Sequence, residues 1–445
     1  MGKATREAVK HASSDAAARQ DRRARAESFC YHAGLRTRRR NRKEHMLRAI
    51  RAAWAAAAAK AAEGGAAGAA SAVWTFPSVL LSAFVIAWAA EAAQFFMSQG
   101  LALALLAWLQ TLPEFAVEAD IAWRQDVPNM TANFTGSLRL LVGLGWPLIF
   151  VVATIAHRRR TGRWLKEIAL DDEHAIEVIG LFVPILYFFA IWWKASLSVY
   201  DAVVLVAIYL AYLWILNRMP ARDHEEVEEL DWIPRKVVGL RPGLRGAAIA
   251  GLFGVGGLVL YLVTHAFVDS LKALAVTVGI TEFVFIQWVA PFLSEFPEKV
   301  SAFKWASTVR QAPMALMNMI SSNINQWTVL AAMIPIVYSL SIGAATPVPF
   351  DGMHRDEILL TILQSLLGMV LLLNMRYSAF EAALIFVLWF VQFIFPELRE
   401  ELLWVYAIAI AGGFVQVARG RRTIAAFAEF ARQLRRPGAG LRKPK

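Results

Sequence analysis

Cysteine occurs once in this chain, at Cys30, so no internal disulfide can form. Charge is also scarce: 18% of residues are Asp, Glu, Lys or Arg, against 58% hydrophobic. No Gly-x-x-x-x-Gly-Lys loop is present to cradle a nucleotide phosphate, which leaves ATP-driven work unsupported. The absence of His-Glu-x-x-His and Gly-x-Ser-x-Gly argues against an intramembrane enzyme. The basic stretch 1–73 has no apolar run followed by a small-residue cleavage site, so it does not read as a signal peptide.

What the chain does have is apolar length. Eleven segments are candidate membrane spans: 75–97, 100–123, 135–156, 175–194, 199–217, 245–267, 273–303, 313–341, 357–375, 379–395 and 401–418. A bilayer core needs about 20 apolar residues per helix. The expected class is an all-α polytopic membrane protein, and the seventh segment is long enough to be broken or tilted.

Two of these segments carry residues that a membrane helix tolerates poorly, in Leu112-Pro113-Glu114 and Phe296-Pro297-Glu298. A carboxylate at bilayer depth is expensive, and proline removes a backbone hydrogen bond. The offset from Glu114 to Glu298 nearly equals the offset from Ser137 to Ser322 and that from Asp201 to Glu381. Three landmarks at nearly one offset indicate an internal repeat. With five spans per copy, the second copy enters the membrane in the opposite orientation. The expected architecture is two inverted five-helix repeats plus one extra C-terminal helix.

Cation placement orients this plan. Segment 157–166 holds five Lys or Arg, the loop 218–245 six and the tail 419–445 nine, and all fall on one face. The positive-inside rule puts that face in the cytoplasm. The expected organisation is an N-terminal extension at 1–73, a first repeat at 75–217, a cytoplasmic loop at 218–244, a second repeat at 245–395, an additional helix at 401–418 and a cytoplasmic tail at 419–445. The extension carries 16 cations and reads as solvated and disordered rather than as a nucleic-acid module. Either segment 52–73 crosses as a twelfth helix or the true start lies downstream, for instance at Met46.

The Pro-Glu pairs carry a resemblance. The chain resembles the cation/calcium exchangers, whose two signatures read Gly-Thr-Ser-Leu-Pro-Glu followed, after a set spacing, by Gly-Ser-Asn-x-x-Asn or Asp. In the second copy Gly279-Ile280-Thr281-Glu282-Phe283 leads to Glu298, and Asn318-Met319-Ile320-Ser321-Ser322-Asn323-Ile324-Asn325-Gln326 follows. In the first copy Gln110-Thr111-Leu112-Pro113-Glu114 is followed by Gly136-Ser137, but Leu141 stands where the family has an amide or carboxylate. The resemblance implies a secondary antiporter of a bacterial inner membrane, exchanging Ca²⁺ for Na⁺ or H⁺ by alternating access, with no cofactor beyond its transported cations.

By the same resemblance, Glu114 and Glu298 are the principal metal ligands. Thr111, Ser137, Ser294 and Ser322 supply flanking oxygens, and Gln326 is a neutral ligand. Glu118 and Glu295 stand where the family has hydroxyls, which brings them into the site as further carboxylates. Adjacent like charges resist simultaneous ionisation, so the extra carboxylates favour proton coupling. Two alternatives stay open: a proton-coupled exchanger for another cation, and a transport-inactive scaffold or sensor of the same fold.

Local readings compete with ligation at several positions. Glu118 could pair with Arg124 or Arg139, and Lys299 could neutralise Glu295. Asp201 and Glu381 open their spans, where a negative side chain caps the helix. Glu91 and Glu282 are candidates to line the pathway, and His265 reads as an interfacial or packed histidine. The partners expected are small cations and lipid, with no nucleic acid.

Overall fold

The computed structural model describes residues 68–93, 95, 108–109, 111–218 and 230–435. The basic extension, with the questions of a twelfth helix and a start at Met46, lies outside the described residues. The acidic run 225–229 and the end of the tail also lie outside them.

The first copy comprises α1 (Ala72–Ala93), α2 (Leu112–Trp123), α3 (Val127–Leu140), α4 (Trp146–Thr161), α5 (Ala175–Lys194) and α6 (Val199–Leu216). A short connecting helix α7 (Trp232–Val238) precedes the second copy. That copy comprises α8 (Pro242–Val278), α9 (Glu282–Ser294), α10 (Phe296–Ser307), α11 (Ala312–Asn325), α12 (Ala331–Ile342), α13 (Gly352–Leu372) and α14 (Ala379–Ile394). Two more follow, α15 (Arg399–Ala418) and α16 (Ala425–Arg435).

The duplication extends to backbone detail. A five-residue π turn joins α3 to α4 at Leu141–Gly145, and another joins α11 to α12 at Gln326–Leu330. Left-handed residues recur in pairs: Gln125 with Val309, Gly162 with Gly343, and Ala195 with Met375. A non-glycine residue at positive φ is uncommon, so two such pairs in register follow from a shared backbone path.

Two short antiparallel ladders fix the relative orientation of the copies. β1 (Glu167–Ala169), between the third and fourth crossings of the first copy, pairs with β4 (Arg376–Ser378), between the fourth and fifth crossings of the second. β2 (Ser196–Leu197) pairs with β3 (Val348–Pro349) in the mirror relation. Copies inserted the same way would bring like linkers to one face. Here unlike linkers meet, so the copies are inverted, and the protein is a polytopic membrane protein of two inverted five-helix repeats with an additional C-terminal helix.

Among the described residues, seven helices are long and apolar enough to cross a membrane. Segments expected as separate spans at 245–267 and 273–303 divide elsewhere. No breaker intervenes before Gly279, at φ 74°, so α8 runs unbroken for 37 residues, about 55 Å at helical rise. The next crossing is broken at Glu295 into α9 and α10. Likewise 135–156 lies inside a continuous segment Val127–Thr161.

Small residues bring the layers together. α1 and α8 touch where Ser82 donates to the Gly256 carbonyl at 2.5 Å and Thr75 meets Ser270 at 2.8 Å. α3 crosses α9 at Gly136, where an added Cβ would lie 1.9 Å from the Gln287 carbonyl oxygen. Close backbone approach through small residues is the membrane alternative to hydrophobic driving force. α6, α8 and α15 turn large apolar side chains outward, including Tyr200, Tyr261 and Trp404, as lipid-facing helices do.

Candidate cation site

Each Pro-Glu pair opens a helix instead of interrupting one. Pro113 and Pro297 occupy the first turns of α2 and α10, where the missing N–H has no intrahelical partner to lose. Glu114 and Glu298 therefore sit at helix N-termini, where the peptide dipoles favour negative charge. Thr111 and Glu295 hold the matching junction positions just before the two helices. All four side chains are buried.

α11 passes alongside both junctions and supplies the donors. Gln326, at its C-terminal end, places Nε2 2.7 Å from Glu114 Oε2 and 2.6 Å from Glu295 Oε1, joining the two copies through one amide. One turn earlier Ser322 donates to Glu298 Oε1, with Asn318 Nδ2 at 3.4 Å from the same oxygen. Lys299 Nζ contacts Glu295 Oε2 at 2.5 Å. Glu114 also lies against Ser137 and Glu295, and Glu298 is within electrostatic reach of Glu295. Thus Glu114, Glu298, Glu295, Gln326, Ser322 and Ser137 come together.

The remaining predicted residues take other partners. Thr111 donates to the Trp108 carbonyl at 2.9 Å and Ser294 to the Ala290 carbonyl at 3.0 Å, so both hydroxyl protons are spent within their own helical turns. Glu118 accepts from Asn133 Nδ2 at 2.6 Å. Neither suggested arginine reaches it. Arg124 instead binds Asp120 at 2.7 Å and Asp269, beside the exposed His265. Arg139 turns to the other side of α3 and pairs with Glu357.

That second buried cluster was not anticipated from sequence. Glu357 on α13 also binds Arg399 at 2.5 Å and accepts from Gln287 at 3.1 Å, while Arg139 donates to Gln392 at 3.0 Å. Glu357 follows Glu177 at the same offset that separates Glu381 from Asp201, a repeat signal that would have drawn attention to the position. Asn133 was not anticipated, and Asn318 only as part of the second signature, although each stands one helical turn before its site serine.

Other local readings hold. Asp201 and Glu381 form capping boxes with Ser198 and Ser378 and pair with Lys194 and Arg422. Glu91 accepts from Ser301 at 3.4 Å, and Glu282 from Asn129 at 3.4 Å.

The centre presents unengaged oxygen. Glu114 Oε1, Glu298 Oε2 and Gln326 Oε1 are buried without a hydrogen-bond partner, as are Glu118 Oε1 and Asn133 Oδ1. Unpaired buried oxygens are costly and suit a hard cation, which prefers oxygen ligands. Among the described residues no three His, Cys, Asp or Glu converge as a metal cage. A cation held here therefore draws on amide, hydroxyl and carbonyl oxygens beside the carboxylates.

Comparison with known proteins follows this geometry. The chain matches the family described as sodium/calcium exchanger protein over residues 67–217 and 248–396, one block per copy. It is similar to the crystal structure of the H⁺/Ca²⁺ exchanger CAX, at 30% identity and a TM-score of 0.79, covering 88% of this chain and 98% of that one. The structure of YfkE is similar in fold at 14% identity and a TM-score of 0.56, covering 82% and 98%. The sodium–calcium exchanger NCX_Mj aligns at 19% identity and a TM-score of 0.49, covering 73% and 98%. No curated protein matches the chain. The two matched blocks, together covering well over half of the sequence, make this chain a member of the sodium/calcium exchanger family.

Proposed function

We propose that this protein is a secondary antiporter that exchanges Ca²⁺ for H⁺ or Na⁺ by alternating access. One observation carries the reading: Glu114 and Glu298, one from each inverted copy, are both held by side chains at the end of α11 and each keep an unbonded buried oxygen. Gln326 and Ser322 hold their other oxygens, so the carboxylates are positioned before a cation arrives. Likeness to an H⁺/Ca²⁺ exchanger at 30% identity supports Ca²⁺ as cargo and H⁺ as counter-ion. Glu118, one turn from Glu114, supports proton coupling by adding a carboxylate close by.

Further proposals follow from the same reading. Thr111, Ser137 and Ser294 offer lone pairs to the cation, since each hydroxyl donates its proton to a carbonyl of its own helix. The face bearing the β1–β4 ladder, with Arg158, Arg159, Arg160 and Lys166 nearby, is the cytoplasmic one. On this reading loop 218–244 and tail 419–445 lie on the cytoplasmic side of a bacterial inner membrane that is crossed by repeats at 75–217 and 245–395 and a helix at 401–418.

The test is Ca²⁺ uptake into proteoliposomes under an imposed pH or Na⁺ gradient. Gradient-driven uptake that is lost in Glu298→Gln is the expected result. Uptake by Glu298→Gln at the wild-type rate would overturn the mechanism, and uptake of a different divalent cation alone would replace the cargo.

A further inference from the structure

Glu295 and Lys299, two charged residues of the centre, have no charged counterpart in the other copy. Glu295 stands where the first copy has Thr111, and Lys299 where it has Phe115. Their side chains touch at 2.5 Å and are nearly sealed, at 1% and 3% exposure. Glu295 engages both of its oxygens, one with Lys299 and one with Gln326, whereas Glu114 and Glu298 each keep one unbonded. An ammonium is expensive at this depth, and α10 would not need one to form.

We propose that Lys299 is a tethered cation of the transport site, cancelling the charge of Glu295 and leaving Glu114 and Glu298 as the carboxylates that meet the cargo. The inference rests on the antiport reading. Coulomb attraction scales with the charge of the ion, so a fixed positive charge weakens a divalent cation twice as much in free energy as a monovalent one. The ammonium lets the site load a divalent cation without trapping it, and lets a monovalent counter-ion displace it.

The test titrates Ca²⁺ and Na⁺ separately by calorimetry on the purified full chain at one pH. Lys299→Gln leaves an extra negative charge. Ca²⁺ should bind on the order of tenfold tighter, Na⁺ by roughly the square root of that factor, and exchange in proteoliposomes should slow. Glu295→Gln leaves an extra positive charge and should weaken Ca²⁺ by a similar factor. Opposite signs support the proposal, because a merely structural pair would weaken binding in both variants. Two shifts in the same direction, or none, overturn it. If Lys299→Gln does not fold, the double variant Glu295→Gln/Lys299→Gln should bind Ca²⁺ on the order of tenfold tighter than Glu295→Gln alone, and equal affinities overturn the proposal. A wild type that binds Ca²⁺ but moves no cation sinks the antiport reading instead, while the signs of the shifts still judge Lys299.

Discussion

The two inverted copies share a backbone almost turn for turn, yet they furnish the centre differently. Both contribute a Pro-Glu helix start, a serine at nearly the same spacing beyond it and a π turn behind that serine. At the head of that turn the first copy has Leu141 and the second Gln326. The leucine is buried in the core, whereas the glutamine reaches across to Glu114 of the other copy and to Glu295 of its own. Just before the turn the first copy has Arg139, turned away to Glu357, and the second has Ile324, buried among apolar neighbours. A duplicated backbone thus supplies symmetry of position, while single side chains decide which copy holds charge. In this protein the second copy organises the site and the first is stapled from behind.

The largest expected effect tests where the symmetry is functional. Glu114→Gln and Glu298→Gln should each reduce Ca²⁺ uptake at least about 100-fold, because each removes a charged ligand from a buried site. Near-normal uptake by Glu114→Gln alone would make the copies unequal at the ligand itself, whereas near-normal uptake by Glu298→Gln would overturn the mechanism.

The next effect tests the staple. Arg139→Leu leaves the buried Glu357 with Arg399 as its remaining guanidinium partner and should cost about 2–3 kcal/mol of stability, read as a lowered melting temperature in detergent. The matching change in the other copy, Ile324→Val, should cost only about 1 kcal/mol. Adding Glu357→Leu to the arginine variant should recover much of the loss, and a double variant no more stable than Arg139→Leu would show that the arginine acts through other contacts.

Gln326→Leu makes the second copy resemble the first and removes two hydrogen bonds to carboxylates. Ca²⁺ affinity should fall on the order of tenfold or more. Leu141→Gln, the reciprocal change, should move affinity by roughly threefold or less, because it adds an amide without removing any bond that holds the carboxylates. Equal effects from the two would erase the asymmetry argued above.

The smallest effect lies at the rim, where the copies diverge after their left-handed residues into Asp126 and Arg310. Burial lifts the Asp126 carboxyl, but Lys272 at 2.5 Å and Asn129 outweigh it and hold it below the usual aspartate range. A depressed folded-state value adds stability that is complete above about pH 4 and is lost as pH falls through that value. Lys272→Ala should remove this contribution, worth less than about 1 kcal/mol at a partly exposed pair. A melting-temperature difference from wild type that stays constant from neutral to acid pH would show that the pair is electrostatically silent.

Much of this was legible in the sequence because repetition amplifies weak signals. A single Pro-Glu in an apolar run is ambiguous, but its recurrence with serines and capping acids at the same spacing defines two copies and their inversion. The capping roles of Asp201 and Glu381 follow from adjacent serines, since capping is a contact within one turn. Glu357 was illegible for the opposite reason: its partners Arg139, Gln287 and Arg399 sit on three other helices, far from it along the chain. The competing reading that paired Glu118 with Arg124 or Arg139 fails for the same reason, since the packing carries both arginines elsewhere.

The sequence by itself determined that this is a helical membrane protein built twice, because apolar length, proline placement and repeat spacing act locally and survive without knowledge of packing. Tertiary structure alone decided which carboxylates share a donor and which stay open: Gln326 joins Glu114 to Glu295, and Glu114 and Glu298 each keep one oxygen unbonded. The physical reason is distance. Hydrogen bonds and ion pairs act over a few ångströms between residues far apart in the chain, and only the crossing of α2, α10 and α11 brings those residues within reach.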